Sequence, residues 1–342
     1  MSRRASRPVA AGSCRRDAGA SGKLVGVRTT RTALATMAAV AALTLTGCSG
    51  TGSSAEVTAR ASRTAAPTPS ATSSPGSMPS ADAATAREYA ALEQRYDARV
   101  GVVAIDTADG RAVGYRSEER FAFASTNKAF IAAAVLDASS ADDLDEVVRY
   151  DRGDLLEYAP VTRRHVDEGM TLRALVDAAV RESDNTAANL LVERLGGVDG
   201  VTRWLRGIGD DVTRVDRVEP DLNTATPGDP RDTTTPAQSS ADLRAVLLGD
   251  ALDPDDRALL RSAMTGTTTG DGTIRAGVPG GWSVADKTGT ASYGVRNDIA
   301  VLRQPGRDPV VLVVFTAQDR EDAEPSDALV AAATRVALRA MG

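Results

Sequence analysis

Lysine is almost absent from this sequence. The chain has 342 residues and 40 basic side chains, but its only lysines are Lys23, Lys128 and Lys287, so the other 37 are arginines. Arginine stays protonated at any ordinary pH, whereas a buried lysine can lose its proton near neutrality. A lysine kept outside the N-terminal segment therefore indicates a place where proton transfer is required.

Cysteine and histidine are equally scarce. The only cysteines are Cys14 and Cys48, and the only histidine is His165. From residue 49 onward the chain can therefore form no disulfide, no thiolate nucleophile and no cysteine-ligated metal site. A Ser-His-Asp triad would have a single candidate base, and His165 lies among charged residues, as is typical of a surface loop. We expect no metal and no cofactor.

Negative charge dominates the chain after its first 47 residues. Those residues carry eight basic side chains and Asp17, a net charge of +7, so the formal net charge of −6 leaves −13 for the remainder. A body this acidic has no electrostatic surface suited to nucleic acid. With 42% hydrophobic and 25% charged residues, the composition is that of a globular protein with one large domain or two small ones.

An apolar run near the N-terminus predicts export. Residues 32–46 are all apolar, alanine or threonine, a length that suits a signal-peptide core better than a membrane-spanning helix. LTGC, ending at Cys48, resembles a bacterial lipobox, although a plain cleaved signal is an alternative. We predict a lipoprotein-type signal peptide over residues 1–47 and lipidation at Cys48. The protein would then be exported and anchored to the cell membrane by lipid, or otherwise secreted.

The rest of the chain divides into a tether and a folded domain. Residues 48–84 are rich in Ser, Thr, Ala and Pro with few bulky apolar side chains, a composition that predicts disorder. Residues 85–342 carry strand patterns at both ends and helical patterns between them. We predict an α+β fold: a five-stranded antiparallel sheet flanked by helices (sheet lobe 85–118 and 271–342), with an all-helical lobe inserted at 119–270.

The first candidate catalytic motif contains Lys128. AST precedes the helical pattern NKAFIAAAVLDA, which puts Ser125 at a helix start and Lys128 about one turn later on the same face. A serine hydroxyl becomes a good nucleophile when a base takes its proton, and a desolvated lysine can be that base. A helix-capping serine beside a surface lysine is the ordinary alternative, but this is the only S-x-x-K motif in the chain.

Two further motifs follow along the chain. ESDNTAANLL puts Ser183 and Asn185 between two predicted helices, where a capping turn is the ordinary alternative. DKTGTA ends a predicted strand with Lys287 and Thr288, which could hold an anion, and Gly289 would permit close backbone approach. The order S-x-x-K, S-D-N, K-T-G matches the motif set of class A β-lactamases and penicillin-binding proteins.

Over residues 84–342 the sequence resembles the class A serine β-lactamases. RVEPDLNTATPGDPRDTTTP, residues 217–236, is similar to the omega loop of that family, with Glu219 and Asn223 in an E-x-x-L-N motif. In that family these two residues hold the water that hydrolyses the acyl-enzyme, whereas penicillin-binding transpeptidases lack the loop. The resemblance implies the β-lactamase/transpeptidase-like fold and hydrolysis of the β-lactam ring of penicillin- or cephalosporin-type antibiotics, which gives antibiotic resistance.

The resemblance also implies roles in the first half of the reaction. Ser125 would open the β-lactam and form the acyl-enzyme. Its proton would pass to Lys128 directly or to Glu219 through water, an assignment that is disputed for the family. Ser183 would relay a proton to the departing ring nitrogen, assisted by Lys287.

The remaining implied roles concern the oxyanion, the second half of the reaction and substrate binding. Backbone N–H groups of Ser125 and Thr290 would form the oxyanion hole. Glu219 would act as general base on a water shared with Asn223. The substrate carboxylate would meet Lys287, Thr288, Thr290 and Arg296, while Asn185 would bond the acylamide, Tyr158 would line the cleft and Gly289 would lie beside the substrate.

Some positions bear on structure or spectrum instead. Arg217 and Asp232 are expected to form a salt bridge that closes the omega loop, and Glu219-Pro220 is expected to be a cis peptide bond. Asn127 and Ala291 depart from the family pattern. Many relatives have an apolar or aromatic residue at the first position, and glycine is common at the second. These two departures concern the substrate spectrum, not the reaction class.

Two other functions share parts of this pattern. A cell-wall DD-peptidase or transpeptidase would use the same fold and serine, and a non-hydrolytic β-lactam sensor would keep a stable adduct on Ser125. The intact Glu219 and Asn223 argue against the sensor. As partners we expect a small-molecule β-lactam and a catalytic water, a membrane tether through Cys48, no nucleic acid and no second copy of the chain, because a monomer is expected.

Overall fold

The computed structural model describes residues 78–342. The predicted signal peptide, Cys48 and the predicted tether up to residue 77 lie outside the described residues. Within the described part, no helix combines the length and the apolar character needed to cross a membrane.

Ten α-helices and nine β-strands make up the described residues. The α-helices are α1 (Ala83–Tyr96), α2 (Lys128–Asp137), α3 (Ala141–Leu144), α4 (Leu172–Arg181), α5 (Asn185–Arg194), α6 (Val198–Gly207), α7 (Pro236–Leu247), α8 (Pro254–Thr265), α9 (Ile274–Gly277) and α10 (Asp327–Met341). The strands are β1 (Arg99–Asp106), β2 (Ala112–Tyr115), β3 (Phe121–Ala122), β4 (Val147–Val148), β5 (Met170–Thr171), β6 (Thr233–Thr234), β7 (Ser283–Ala291), β8 (Val295–Arg303) and β9 (Val310–Ala317). Three 3₁₀ helices span Ala124–Asn127, Thr162–Arg164 and Asp221–Thr224.

One five-stranded antiparallel sheet joins the two ends of the folded body. Its strand order is β2-β1-β9-β8-β7, so the N-terminal hairpin pairs with the three C-terminal strands through β1 and β9. That pairing runs over the whole of β1, from Arg99 opposite Ala317 to Asp106 opposite Val310. The predicted α+β fold is therefore confirmed, and β7 is left as an edge strand.

The central strands are apolar on both faces because both faces are covered. In β9 the side chains of Leu312 and Val314 pack with α1 and α10, while Val311, Val313 and Phe315 pack against the helical lobe. A strand buried on both faces reads as a continuous apolar run instead of an alternating one. VVLVVFTA in β9 is such a run.

Helix α2 lies at the centre of the helical lobe. Every residue from Lys128 to Leu136 is buried, and the helix contacts α4, α5, α6, α7 and α8. A helix that is apolar all round must be enclosed by other elements. The position of α2 matters because its first residue is Lys128, and the 3₁₀ helix before it carries Ser125.

The structure differs from the sequence-based expectation in three places. Helix α8 lies within the lobe that was predicted to be helical, but no separate helical pattern was identified for it, although Asp253 caps it and Pro254 occupies its first turn. The lobe expected to be all-helical also contains the two-residue strands β3, β4, β5 and β6. Folded structure begins before residue 85, because Ala81 N donates to Gly114 O at 2.7 Å and α1 begins at Ala83.

The acidic side chains of Asp242, in α7, and Asp210, which follows α6, are buried close to each other. Asp242 is 3% exposed and Asp210 is fully buried. Asp210 Oδ1 accepts hydrogen bonds from the N–H groups of Val212 and Thr213, and Asp242 Oδ1 accepts one from Gln238 Nε2, all at 2.8 Å. Burial first, and then the charge of Asp210, raise the pKa of Asp242 to about 8. Asp242 therefore holds a proton at neutral pH.

We predict that Asp242→Asn removes one source of pH-dependent stability. The folded pKa of Asp242, about 8, lies above the unfolded value of 3.8. The folded state therefore holds the extra proton between these values, and this contribution to the free energy of unfolding falls as the pH rises toward 8. The slope involved is at most about 1.4 kcal/mol per pH unit.

The measurement is the free energy of unfolding of both proteins between pH 5 and 8. Asp242→Asn is expected to gain stability relative to the wild type as the pH rises. Asp250→Asn makes the same residue change at an exposed position and should keep the wild-type slope. A slope for Asp242→Asn equal to that of the wild type would contradict the assignment.

Candidate active site

A cleft beside the edge strand β7 gathers most of the predicted site residues. Its volume is about 610 Å³. The lining residues are Ser125, Tyr158, Ser183, Asn185, Asn223, Thr269, Thr288, Gly289, Thr290, Arg296, Pro325 and Asp327. The other three predicted residues, Lys128, Glu219 and Lys287, are buried and contact side chains that line the cleft.

The turn that carries Ser125 lies against the backbone of β7. A Cβ atom at Gly289 would lie 3.0 Å from Phe123 O and 3.1 Å from Ser125 N, closer than side chains normally approach. Ala124, next to the serine, has a φ of 48° in the left-handed region, which is uncommon for a residue with a side chain. The close approach that the sequence predicted at Gly289 is therefore present.

Lys128 points into the protein interior. Its side chain is 2% exposed, and Nζ donates to Ser183 O at 2.8 Å and to Asn185 Oδ1 at 2.5 Å. Nζ also lies 3.0 Å from Glu219 Oε1. These three acceptors can use all three N–H bonds of an ammonium group. The surroundings of Lys128 therefore fit a cation paired with the Glu219 carboxylate.

The Ser183 hydroxyl lies between the two lysines. It accepts a hydrogen bond from Lys287 Nζ at 3.0 Å and a longer one from Lys128 Nζ at 3.4 Å. Ser183 itself has a φ of 56°, in the short segment that joins α4 to α5. The two lysines outside the N-terminal segment thus meet at one hydroxyl.

Asp184 holds that segment in place. It is fully buried and caps α5, accepting from Ala187 N at 2.9 Å. Its other oxygen accepts from Val161 N and Thr162 N, both at 2.9 Å. Because one carboxylate satisfies donors from two segments, it fixes Ser183 relative to the loop that presents Tyr158.

Burial changes the pKa values of both lysines. It lowers the pKa of Lys128, and the nearby Glu219 carboxylate opposes that change. It lowers the pKa of Lys287 further, and the positive charge of Lys128 adds to the effect. A lysine amine with a lowered pKa can exchange protons near neutral pH, which an arginine cannot do.

Carboxyl groups on the far side of β7 oppose the loss of charge from Lys287. Asp286 and Asp298 are fully buried, and their charge raises the pKa of Lys287. Asp286 Oδ1 accepts from Arg275 Nε at 2.7 Å, while Asp298 Oδ2 accepts from Thr273 Oγ1 at 2.6 Å. Burial raises the pKa of Asp286 to about 6 and raises that of Asp298 as well.

Glu219 connects the omega loop to the serine. Ser125 Oγ donates to Glu219 Oε1 at 3.3 Å, and Asn223 Nδ2 donates to Oε2 at 2.5 Å. The Glu219-Pro220 peptide bond is cis, as predicted. Within residues 78–342 no hydrogen bond joins the Ser125 hydroxyl to the Lys128 amine, so the contact expected between them is replaced by one carboxylate oxygen that both approach.

Asn189 is a site residue that the sequence reasoning missed. Its Oδ1 accepts from Glu219 N at 3.0 Å, and its Nδ2 donates to Glu219 O at 2.9 Å. This pair of hydrogen bonds fixes the backbone of Glu219 from outside the loop. The available signal was its spacing, because Asn189 follows Asn185 by one helical turn in α5.

The omega loop is closed by the predicted salt bridge. Arg217 Nε lies 2.5 Å from Asp232 Oδ2, and the Asp232 carboxylate is almost fully buried. Asp232 Oδ1 also accepts from Asp216 N at 2.8 Å and Arg217 N at 2.9 Å. Arg217 Nη1 continues to Thr224 Oγ1 at 2.8 Å. One buried carboxylate therefore holds both ends of the segment that carries Glu219.

Arg296 supplies a positive charge at the other end of the cleft. It donates to Thr290 Oγ1 at 3.1 Å and Thr269 O at 2.9 Å, and it forms an ion pair with Asp327. Thr269 and Asp327 were not predicted as site residues. Their signal was weak, since one lies in a loop and the other begins α10. Thr269 Oγ1 also shares a hydrogen bond of 2.6 Å with Thr288 Oγ1.

Three other residues discussed for the sequence have clear positions. Tyr158 is half exposed at the cleft, and its carbonyl oxygen accepts from Asn185 N at 3.0 Å. Asn127 is buried, and neither polar atom of its amide has a hydrogen-bond partner within the described residues. His165 lies at the surface, where Nδ1 is 2.6 Å from Glu168 Oε1, away from the cleft lining.

Comparison with known proteins covers the same part of the chain. The model of the beta-lactamase enzyme family matches residues 84–341. A beta-lactamase of Amycolatopsis lactamdurans is 54% identical over 261 residues, covering 76% of this chain and 86% of that protein. The crystal structure of a beta-lactamase from Desulfarculus baarsii has a TM-score of 0.75 at 49% identity, covering 76% of this chain and 98% of that one. A class A beta-lactamase from Clostridium kluyveri has a TM-score of 0.75 at 42% identity, covering 76% and 99%.

We predict that removing Arg217 destabilises the fold far more than removing Arg214. Arg217→Ala would leave the buried Asp232 carboxylate without its cation, which typically costs about 3–5 kcal/mol. Arg214→Ala breaks an ion pair with Asp216 in which Arg214 is 42% exposed, and such pairs contribute about 0–1 kcal/mol. Urea denaturation of both variants measures the difference. Equal losses of unfolding free energy would show that the Arg217 pair does not anchor the loop.

Proposed function

The chain belongs to the β-lactamase enzyme family and hydrolyses β-lactams, and we propose that it acts on penicillin- or cephalosporin-type compounds through an acyl-enzyme on Ser125. One observation carries the proposal. Glu219 Oε1 lies 3.3 Å from Ser125 Oγ and 3.0 Å from Lys128 Nζ, while Asn223 holds Oε2. A nucleophile, a buried cation and an amide donor are therefore arranged around one carboxylate, the proposed general base, at the wall of the cleft.

In the acylation step Ser125 Oγ attacks the carbonyl carbon of the ring. Its proton needs an acceptor, and the hydrogen bond to Glu219 supports this carboxylate as the acceptor, either directly or through water. Lys128 donates to acceptors in its present surroundings, so it stabilises the negative charge of Glu219. Once Glu219 is protonated, the lowered pKa of Lys128 lets it take part in further proton transfer.

Ring opening needs a proton at the departing nitrogen. The Ser183 hydroxyl lines the cleft and accepts hydrogen bonds from Lys287 Nζ and Lys128 Nζ, so its own proton is free to point into the cleft. Ser183 can give that proton to the nitrogen and regain one from a lysine. The C–N bond of the ring breaks, and an ester to Ser125 remains.

Deacylation uses the same carboxylate a second time. Glu219 must first be ionised again, and it would pass its proton to Lys128, the amine beside it, once that amine has re-protonated Ser183. Glu219 would then take a proton from water as the water attacks the ester carbonyl, and Asn223 fixes the orientation of the carboxylate. The bond from the carbonyl carbon to Ser125 Oγ breaks, and Glu219 returns the proton to that oxygen. The Asn189 hydrogen bonds hold the Glu219 backbone in place during both steps. Backbone N–H groups of Ser125 and Thr290 are proposed as the oxyanion hole, where each donor is typically worth about 3 kcal/mol of barrier.

Substrate binding would use the positive end of the cleft. β-Lactam antibiotics carry a carboxylate, which Thr288, Thr290 and Arg296 can receive together with the charge of Lys287. Asn185 would bond the acylamide of the substrate, and Gly289 and Tyr158 would line the path of the substrate. Asp327 holds the Arg296 guanidinium and thereby fixes the direction of its remaining N–H bonds.

Both alternative functions predict a fate of the adduct that differs from hydrolysis. A DD-peptidase or transpeptidase, and equally a non-hydrolytic sensor, would form an ester with a β-lactam and keep it. Rapid turnover of a chromogenic cephalosporin would exclude both. The arrangement of Glu219 and Asn223 favours turnover, because it supplies a base for the second step.

The location and assembly of the protein are also proposals. We propose that residues 1–47 direct export and that a lipid on Cys48 anchors the protein outside the membrane through a flexible tether. We also propose that the protein is a monomer.

We predict that Glu219→Gln accumulates the acyl-enzyme. In this variant the general base of deacylation is lost and Lys128 remains as a base for acylation, so the ester forms slowly and persists. Turnover should fall by a factor on the order of 10² to 10⁴. Intact-mass measurement after adding a penicillin checks this. Glu118→Gln, the same change at an exposed position, should behave as the wild type, and a Glu219→Gln protein without any adduct would refute the deacylation role.

We predict that Cys48→Ser releases the protein from the membrane. In a bacterial host that processes lipoproteins, the wild-type protein should fractionate with membranes, and the mass of its N-terminal peptide should include a lipid on Cys48. Cys14→Ser changes the only other cysteine and should leave fractionation unchanged. Recovery of wild-type protein without lipid in the soluble exported fraction would support the plain cleaved signal instead.

A further inference from the structure

Four arginines surround a depression at one end of the sheet. The depression has a volume of about 350 Å³, and Arg244 of α7, Arg257 and Arg261 of α8 and Arg303 of β8 line it. Thr107 and apolar side chains complete the lining, and none of the lining residues is acidic. The local charge is therefore opposite to that of the body, which is acidic overall.

This depression is far from the cleft. Arg296, which lines the cleft, and Arg303, which lines the depression, lie seven residues apart in the same strand β8. At about 3.3 Å per residue, they are separated by about 23 Å. None of the residues assigned a role in β-lactam hydrolysis lines the depression.

None of the four guanidinium groups has a carboxylate as an ion-pair partner among the described residues. Within residues 78–342 none of them lies within salt-bridge distance of a carboxylate, although most charged residues of the omega loop are paired. Asp106 and Asp308 are close in sequence to lining residues, but they line a separate depression together with Arg307. The depression therefore holds positive charge without a direct ion-pair partner.

Arg257 adds an unused hydrogen-bond donor. Its Nη2 donates to Leu252 O at 3.1 Å, but its Nε is shielded from solvent and has no acceptor among the described residues. Arg257 also lies near the N-terminus of α8, where the helix dipole favours anions over cations. An anion in the depression would place negative charge near this helix end, which the helix dipole favours.

We propose that the depression binds a multivalent oxyanion of the phosphate type, such as a diphosphate or neighbouring phosphodiesters. Guanidinium groups bind phosphate oxygens with paired N–H donors, and Arg257 and Arg261 lie one turn apart on the same face of α8. Four positive charges exceed what a single carboxylate would balance. The ligand could be a soluble phosphate compound or the headgroups of an anionic lipid, which share this chemistry.

The direct test is calorimetric titration of the purified full-length protein with pyrophosphate at constant ionic strength. Saturable binding is expected. The double variant Arg257→Gln/Arg261→Gln should lower the affinity by about tenfold or more, and Arg244→Gln/Arg303→Gln should do the same from the opposite wall. Arg307→Gln, which removes a single positive charge from the neighbouring depression, should change the affinity by less than about twofold.

Turnover of a chromogenic cephalosporin shows that each variant is folded, and it should stay at the wild-type value. Sedimentation with vesicles of phosphatidylglycerol, compared with phosphatidylcholine, separates the two sources of phosphate. Pyrophosphate binding without vesicle binding identifies a soluble ligand, whereas binding to phosphatidylglycerol that the double variant abolishes identifies a lipid headgroup. Absence of saturable pyrophosphate binding, or equal affinity in wild type and double variant, would overturn the proposal.

Discussion

Two buried lysine amines meet at the hydroxyl of Ser183, and the rest of the site depends on this contact. Like charges repel, and burial removes the water that would solvate them. Lys128 is therefore paired with Glu219. The charge of Lys287 is instead favoured by Asp286 and Asp298, which lie across β7. Each amine is left with a lowered pKa, and their surroundings determine which of them holds its proton.

This arrangement requires support from elements that never contact substrate. Asp184 fixes the segment of Ser183, and Asn189 fixes the backbone of Glu219. The Arg217–Asp232 pair closes the omega loop that carries Glu219. In each case a carboxylate or amide side chain hydrogen-bonds backbone groups of a different segment. Such contacts hold catalytic groups more firmly than exposed side-chain pairs, because water cannot compete for the buried partners.

Much of this could be read from the sequence, and the reasons differ by feature. The rarity of lysine drew attention to Lys128 and Lys287, and the strand patterns around β1 and β9 predicted a sheet joined from both ends. Helix α8 was missed because its pattern is weak, with only Leu260, Ala263 and Met264 fully buried. Asn189 was missed because its one-turn spacing from Asn185 does not show that its amide reaches the backbone of a distant loop, and Asp327 carries no comparable signal.

The sequence by itself determined the chemistry that is available: which residues can titrate, which can attack, and where the backbone must approach closely. Only the tertiary structure decided which hydrogen-bond and charge partners these groups take. Ser125 and Lys128 are three residues apart in sequence, but both approach Glu219 Oε1, which is 94 residues from the serine. Local spacing limits which neighbours a side chain can reach, whereas burial and the packing of distant segments decide which partner it takes and where its proton resides.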